Sequence, residues 1–346
     1  MSQPKSKKPA KSKATASVNP KRILELTWDF CPPLMVEAAL SNGVFDALDA
    51  GAKTVEETAA ATGASERGLR ILMNGLVATN FLARRGKKFS LAPDVAAFLI
   101  KRKPAYLGGT LHHLSRDLIP HWLRLTNIVR TGKPESAVNQ EKAGSQFFAN
   151  FVEEIYNRSY PAAKVAAETL IKKLAKPFKV LDIATGSGVW GIAMAERSPQ
   201  VEVTAVDWPG VIPVTRKVVA EHKLNDQFSY VEGDIQSAKY GDGFHLATLG
   251  HILHSEGEAN SRKLLKRVFD ALAPKGTVVI AEFMPNDDRS GPPSALIFAV
   301  NMLVNTDQGD TFTFKEMKSW LTETGFRKIR TLDAPGPSPL LLADKT

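Results

Sequence analysis

Three aspartates stand at the ends of three successive apolar segments that read as strands: Asp182 in VLDIATGSG, Asp207 in VEVTAVD and Asp234 in FSYVEGD. Between the first two lies a turn containing Gly186 and Gly188, which leads into the alanine-rich helical segment VWGIAMA. Glycine tolerates the positive backbone angles of a tight turn. Without a Cβ it lets a nucleoside come close, and the helix start adds free amide donors. Gly186, Gly188 and Gly191 also spell G-x-G-x-x-G, the dinucleotide fingerprint, which alone is a weak signal. The acids decide between ligands, because a carboxylate gains nothing beside two phosphates. Asp182, inside the end of its strand, suits a cationic ligand; Asp207 is placed to accept both ribose hydroxyls; Asp234 falls near an adenine edge. Together they describe a nucleoside cleft at the carboxyl edge of a parallel sheet.

These residues resemble class I S-adenosylmethionine-dependent methyltransferases. The segment VDWPGVI resembles the (F/V)DLPxVI stretch of the O-methyltransferase family that includes plant caffeate-type, acetylserotonin-type and bacterial tailoring and pigment-pathway enzymes. The resemblance runs from residue 20 to residue 344 and is most specific between Val180 and Gly309. It implies S-adenosylmethionine as the cofactor and S-adenosylhomocysteine as its product, with no metal. The cofactor would be held by Asp182, Gly186, Gly188, Asp207, Trp208, Asp234 and Ile235.

In that family a segment of the form (K/N)xILHDWSDE carries the catalytic histidine, and LGHILHSEGE places the role on His254. Methyl transfer from a sulfonium is an in-line displacement in which the enzyme mainly positions the partners. An alcohol or phenol must also lose its proton as the bond forms, and a histidine suits that task. His251, three residues earlier, reads as a structural or cleft residue. The family's two acids that flank the histidine match unevenly. VVIAEFM supplies Glu282, which could orient His254 through a ring N–H as in a triad, whereas DQGDTFTFKEM puts Thr311 at the second position with Asp310 beside it. Ser255 and Glu256 replace the family's aspartate and tryptophan. A missing second acid weakens base catalysis and favours an easily ionised phenol over an aliphatic alcohol.

The resemblance makes the region before Val180 one wall of the acceptor pocket, with Phe147, Phe151 and Tyr156 as candidates. A helix after the fifth strand would cover the acceptor with Phe298, Met302 and Asn305. The leading reading is a dimeric O-methyltransferase of a small aromatic or polycyclic hydroxyl compound. Three others stay open: a relative that uses bound S-adenosylmethionine without transferring the methyl, in decarboxylation or hydroxylation; an N- or C-methyltransferase; and a DNA-binding regulator with a methyltransferase-like sensor domain.

These side chains need a scaffold, and the rest of the chain supplies one. From Val180 strand and helix alternate at a spacing that suits right-handed crossovers. Seven strands follow, the last antiparallel after the PGPSP turn, giving an α/β, Rossmann-like methyltransferase domain over residues 176–346. A helical connector and pocket wall spans 105–175. Residues 20–104 read as a mainly helical winged-helix domain. Within it, Lys21 to Ala50 form two helices broken at Pro32 and Pro33, Thr54 and Glu57 make a capping box, Ser65 starts a second helix of a helix-turn-helix, and ARRGKKFSLAP forms a basic hairpin. The recognition-helix position is too apolar for a groove reader: Leu69, Ile71, Leu72, Met73, Leu76 and Val77 outnumber Arg67 and Arg70. Family members use this domain to dimerise, so the resemblance implies a homodimer and no nucleic-acid partner.

The formal charge of +9 is concentrated in a basic tail, residues 1–19, read as disordered: Lys5, Lys7, Lys8, Lys11 and Lys13 account for five, leaving +4 elsewhere. That surplus does not call for nucleic acid. The tail lacks the apolar core of a secretory signal, and no apolar stretch approaches the roughly 20 residues that span a bilayer; the expected location is the cytoplasm, away from membranes. The single cysteine, Cys31, excludes an internal disulfide and reads as a small buried hydrophobe. His112 and His113 point to different faces of a helix and do not make a metal set with His121.

Overall fold

A computed structural model describes residues 18–172 and 176–346. Most of the basic tail, residues 1–17, lies outside the described residues. The N-terminal part comprises α1 (Lys21–Leu26), α2 (Cys31–Ser41), α3 (Val44–Asp49), α4 (Val55–Thr62), α5 (Glu66–Ala78), the hairpin β1 (Leu82–Arg85) and β2 (Lys88–Leu91), and α6 (Pro93–Phe98). The stretch from Lys21 to Ala50 holds three helices, not two. Pro32 and Pro33 sit in the first turn of α2, where their missing N–H groups cost nothing. The α4 capping box is present: Glu57 N donates to Thr54 Oγ1 at 3.2 Å and Thr54 N to Glu57 Oε2 at 3.0 Å. Ser65 caps α5 through Gly68 N. Leu69, Met73 and Leu76 of α5 enter the core of this part with Val36, Phe45 and Phe89, while Ile71 stays exposed. Cys31 is half-buried.

The connector carries α7 (Gly108–His113), a π-helical turn at Leu114–Leu118, α8 (Ile119–Trp122), α9 (Leu125–Thr131), α10 (Glu141–Phe151) and α11 (Tyr156–Leu170). The sheet domain follows with β3 (Phe178–Ile183), α12 (Val189–Ala195), β4 (Val201–Asp207), α13 (Ile212–Glu221), β5 (Phe228–Glu232), β6 (Phe244–Gly250), α14 (Leu253–Ala271), β7 (Leu272–Ala281), α15 (Pro293–Asn305), α16 (Phe314–Thr324), β8 (Arg327–Leu332) and β9 (Leu340–Asp344). The seven strands lie in the order β5-β4-β3-β6-β7-β9-β8, with β9 antiparallel to both neighbours. The chain runs outward from β3 in both directions, so the switch point where ligands bind such sheets falls between β3 and β6.

Strand alternation divides the core between the two faces. Val180 packs with α11 and α12 on one side, and its neighbour Leu181 packs with α14 and α16 on the other. Each such fully buried aliphatic side chain contributes about 1.5–3 kcal/mol. This two-sided burial is what holds the strand ends rigidly enough to carry a site. No helix among the described residues is long and apolar enough to cross a membrane.

Candidate active site

The glycine turn follows β3. Gly186 and Gly188 take φ values of 54° and 81°, which a side chain rarely adopts, and Gly188 starts α12 from that left-handed conformation. Asp207, at the end of β4, ties its strand to this turn. Its Oδ2 accepts from Gly186 N and its Oδ1 from Trp208 N, both at 2.8 Å. Burial pushes its carboxyl up to about 6 although those hydrogen bonds pull the other way. A carboxylate has about four acceptor positions, so two remain for hydroxyls. Asp234 lies at the next strand end and accepts from Gln236 N at 2.7 Å; Ile235 after it is buried in the core.

Asp182 is a correction. The strand-end carboxylate expected to face a cationic ligand is fully buried and turned inward. Its Oδ2 accepts from Thr185 Oγ1 at 2.7 Å and Gly191 N at 3.1 Å, and its Oδ1 from Thr248 Oγ1 at 2.6 Å. The carboxyl is raised to about 6 by burial, against the pull of those three donors. It braces the turn and the start of α12 instead of meeting a ligand. Gly191 is needed for the same packing, since a Cβ there would come within 2.8 Å of Val203.

Helix α10 presses on the tip of β4. A Cβ on Gly144 would lie 2.6 Å from the Trp208 ring, and Val152, just past α10, sits against Gly186. Phe148 and Trp208 have their ring centres 6.0 Å apart. The pocket candidates Phe147 and Phe151 join this cluster: Phe151 stacks on His113 at 4.1 Å, with Phe147 edge-on to both. His113 in turn holds Asp117 at 2.8 Å, and His112 holds Glu37 at 3.3 Å. Each of the adjacent histidines therefore has its own carboxylate, which the sequence did not disclose.

The strongest constellation lies at the ends of β6 and β7. Gly250 and Ala281 are paired in register, so the residues that follow emerge side by side. His251 N bonds to Ala281 O at 2.8 Å, and its φ of 62° redirects the chain into α14. His254 thus stands in the first turn of a helix. Glu282 holds it at two points: Oε2 lies 2.6 Å from Nδ1 of the ring, and Oε1 accepts the His254 backbone N–H at 3.2 Å. Burial raises the Glu282 carboxyl, but the charge and hydrogen bonds of His254, helped by His251, outweigh it and leave the group below its ordinary value. An ionised carboxylate at Nδ1 puts the proton there and leaves Nε2 as an acceptor. Among the described residues Nε2 has no hydrogen-bond partner.

Phe298 of α15 meets the His254 ring edge-on at 4.9 Å and stacks on Phe283 at 3.9 Å. Met302, on the same helix, is buried. Asn305 is a second correction, because the side chain is buried and its amide is bonded at both ends: His121 Nδ1 lies 2.6 Å from Oδ1, and Nδ2 donates to Asn301. It fastens α8 to α15 and does not face an acceptor. Tyr156 is a third. Its ring stacks on Tyr160 and approaches His222 at the end of α13, among Ile192, Val214 and Phe228, so it belongs to the packing of α11 on the outer helices. Thr311 is buried with its hydroxyl unpartnered among the described residues, and Asp310 bonds by its backbone N to His254 O at 2.9 Å while its carboxylate caps Thr311 N. The 309–311 segment thus supports the first turn of α14 by backbone. His251 has a ring buried enough to hold it down to about 4, and with His254 and Glu282 it brings three ligand-type atoms within 4.8 Å. Two of those three groups are already bonded to each other.

A seven-stranded sheet with its last strand reversed, a glycine turn after its first strand and acids at the ends of the next two strands define a class I methyltransferase. Residues 122–327 match the O-methyltransferase domain family, and residues 24–101 match the O-methyltransferase dimerisation domain. The chain is 30% identical over 302 residues, 87% of each protein, to 3-hydroxy-5-methyl-1-naphthoate 3-O-methyltransferase of Streptomyces sahachiroi. Among solved structures, one from Nostoc punctiforme is 27% identical with a TM-score of 0.86, covering 95% of this chain and 100% of that one. Human N-acetylserotonin methyltransferase, solved with S-adenosylmethionine, gives 22% and 0.82 over 96% and 99%. The chain belongs to the O-methyltransferase family and is an S-adenosylmethionine-dependent methyltransferase.

Sequence reasoning missed Phe283 and Arg158. Phe283 directly follows Glu282, and only its stacking on a helix fifteen residues later shows its place. Arg158 sits between Asn157 and Ser159 with no motif around it.

Proposed function

We propose that this enzyme methylates a hydroxyl group of a small aromatic or polycyclic molecule, with His254 as general base and Glu282 as its partner. The observation that carries the reading is the 2.6 Å pair between His254 Nδ1 and Glu282, beside the stacked Phe283 and Phe298. Two flat rings next to a base favour a planar acceptor. The naphthoate-methylating relative, whose substrate is a bicyclic phenol, supports the same class.

The turn fits S-adenosylmethionine: positive-φ glycines leave room for a nucleoside, and Asp207 keeps acceptor positions for ribose hydroxyls. Gly186, Gly188, Asp207, Trp208, Asp234 and Ile235 would hold it; bound, it supplies an electrophilic methyl group on sulfur. The protein's part is to orient the acceptor oxygen and remove its proton. His254 Nε2 takes the proton, and the Glu282 carboxylate stabilises the imidazolium that results. Positioning of this kind and proton removal together supply several kcal/mol of barrier lowering.

We assign the N-terminal domain to a homodimer. Ile23, Leu24, Leu26, Trp28 and Phe30 are exposed on and after α1, and a run of large apolar groups in water calls for a partner surface. The dimerisation-domain match supports this over a DNA-binding role.

The test is S-adenosylhomocysteine release with a panel of phenols, naphthols, amines and aliphatic alcohols. Methylation of phenolic hydroxyls, lost by at least a hundredfold in His254→Ala with cofactor binding unchanged, is the expected result. Cofactor binding without release of product on any acceptor would favour the non-transferring reading.

A further inference from the structure

A cavity of about 290 Å³ opens beside the His254–Glu282 pair, walled by Arg158 and Ala162 of α11, His251, Glu282, Phe283 and Pro337. Its volume is at the lower end of small-ligand pockets. None of the strand-end residues of the nucleoside cleft, Gly186, Asp207 or Asp234, lies on its wall.

Arg158 is the cation of this cavity and differs from four other arginines of the sheet domain and connector. Arg116, Arg262, Arg289 and Arg330 each hold a carboxylate within 4.0 Å. Among the described residues the Arg158 side chain has no ion pair and no hydrogen bond; it lies over the face of Phe283, 5.4 Å from the ring centre. Desolvation by the surrounding wall holds the guanidinium below its ordinary range. Glu282, on the same wall, accepts a hydrogen bond from His254 on one oxygen and pairs with its ring through the other, and among the described residues it makes no ion pair with Arg158. His251 offers no anion either, and its Nδ1 is buried without a partner among the described residues. A guanidinium presents a planar fork that matches a carboxylate, and one left without an acid inside a concave wall is a binding group awaiting one.

We infer that Arg158 binds a carboxylate on the methyl acceptor, so that the substrates of this enzyme are hydroxyarene carboxylic acids. The inference rests on the hydroxyarene reading of the site. Phe283 links the two ends: it lies under Arg158 and stacks on Phe298, which touches the His254 ring. His254 and Phe298 are not on the wall of the Arg158 cavity, so a flat acceptor that presents its acid to Arg158 and a hydroxyl to His254 extends past Phe283 towards Phe298. The other source of the same chemistry is the carboxylate of the cofactor's methionyl end, and the experiment separates the two.

Binding of 3-hydroxy-2-naphthoate and of neutral 2-naphthol, both fluorescent, is measured in the presence of S-adenosylhomocysteine for the wild type, Arg158→Gln and Arg158→Lys, alongside KM and kcat with S-adenosylmethionine. The wild type is expected to bind the acid at least tenfold more tightly than 2-naphthol. Arg158→Gln should lose that preference while its affinity for 2-naphthol stays within twofold and its KM for S-adenosylmethionine is unchanged, and Arg158→Lys should recover part of it. A rise in KM for S-adenosylmethionine without loss of the acid preference assigns Arg158 to the cofactor and overturns the inference, as does equal binding of the two naphthalenes by the wild type. Failure to methylate any phenol would overturn the hydroxyarene reading alone, because the binding comparison still reads Arg158 directly.

Discussion

Glu282 grips His254 at both its ring and its backbone, 2.6 Å from Nδ1 and 3.2 Å from the amide nitrogen, so one carboxylate sets the imidazole's tautomer and also caps the start of its helix. Replacing it by Gln leaves one acceptor and introduces an N–H that competes for the ring nitrogen. Glu282→Gln is expected to lower kcat by about 10²- to 10⁴-fold, with cofactor affinity kept, as read from initial rates and calorimetric titration of S-adenosylhomocysteine. Activity within threefold of the wild type would remove Glu282 from the mechanism.

Trp190 of α12 lies against Gly250 so closely that a Cβ at residue 250 would overlap the indole Nε1. The ring is buried and cannot swing away without leaving a void. Gly250→Ala should therefore destabilise the fold by about 1–3 kcal/mol through overpacking, and Trp190→Phe should recover part of that loss in the double variant. Denaturant midpoints decide it; additive losses would show that the two residues do not share the space.

Asp182 accepts three hydrogen bonds inside the core. In Asp182→Asn one amide edge becomes a donor facing donors, and the cost is expected to be about 2–4 kcal/mol. A cofactor-affinity loss with stability unchanged would reinstate the ligand-facing role.

His251 binds its proton at about 4 in the folded chain against 6.5 ordinarily, because burial disfavours the cation. Below 6.5 the unfolded chain takes up this proton and the folded chain does not, so stability is lost as pH falls from 6.5 towards 4, by up to about 3 kcal/mol. Asp182 and Asp207, raised to about 6 from 3.8, act in the opposite sense between 6 and 4, since the folded state is protonated first. The difference between the wild type and His251→Asn isolates the histidine, and asparagine tolerates the positive φ. The variant should gain on the wild type as the pH falls through that window; parallel stability curves would contradict the buried, neutral imidazole.

Much of this molecule is decided within short stretches of chain. The capping residues Thr54, Glu57 and Ser65, the glycines at 186 and 188, and the alternation that sends Val180 and Leu181 to opposite faces all depend on neighbours a few positions away, so residue type and spacing determine them. The order of strands and acids around the nucleoside cleft follows from the same local regularity, with family resemblance supplying the meeting of His254 and Glu282. Where each polar side chain points is a different matter. Asp182 turns inward because Thr248, sixty-six residues away, donates to it; Asn305 is claimed by His121, and Tyr156 by the outer helices. Among the described residues Arg158 has no ion pair, while the Glu282 carboxylate on the same cavity wall is held by a histidine ninety-six residues further on from Arg158. Such outcomes depend on which groups converge when strands and helices pack, and a buried donor or acceptor takes the partner that packing brings within reach.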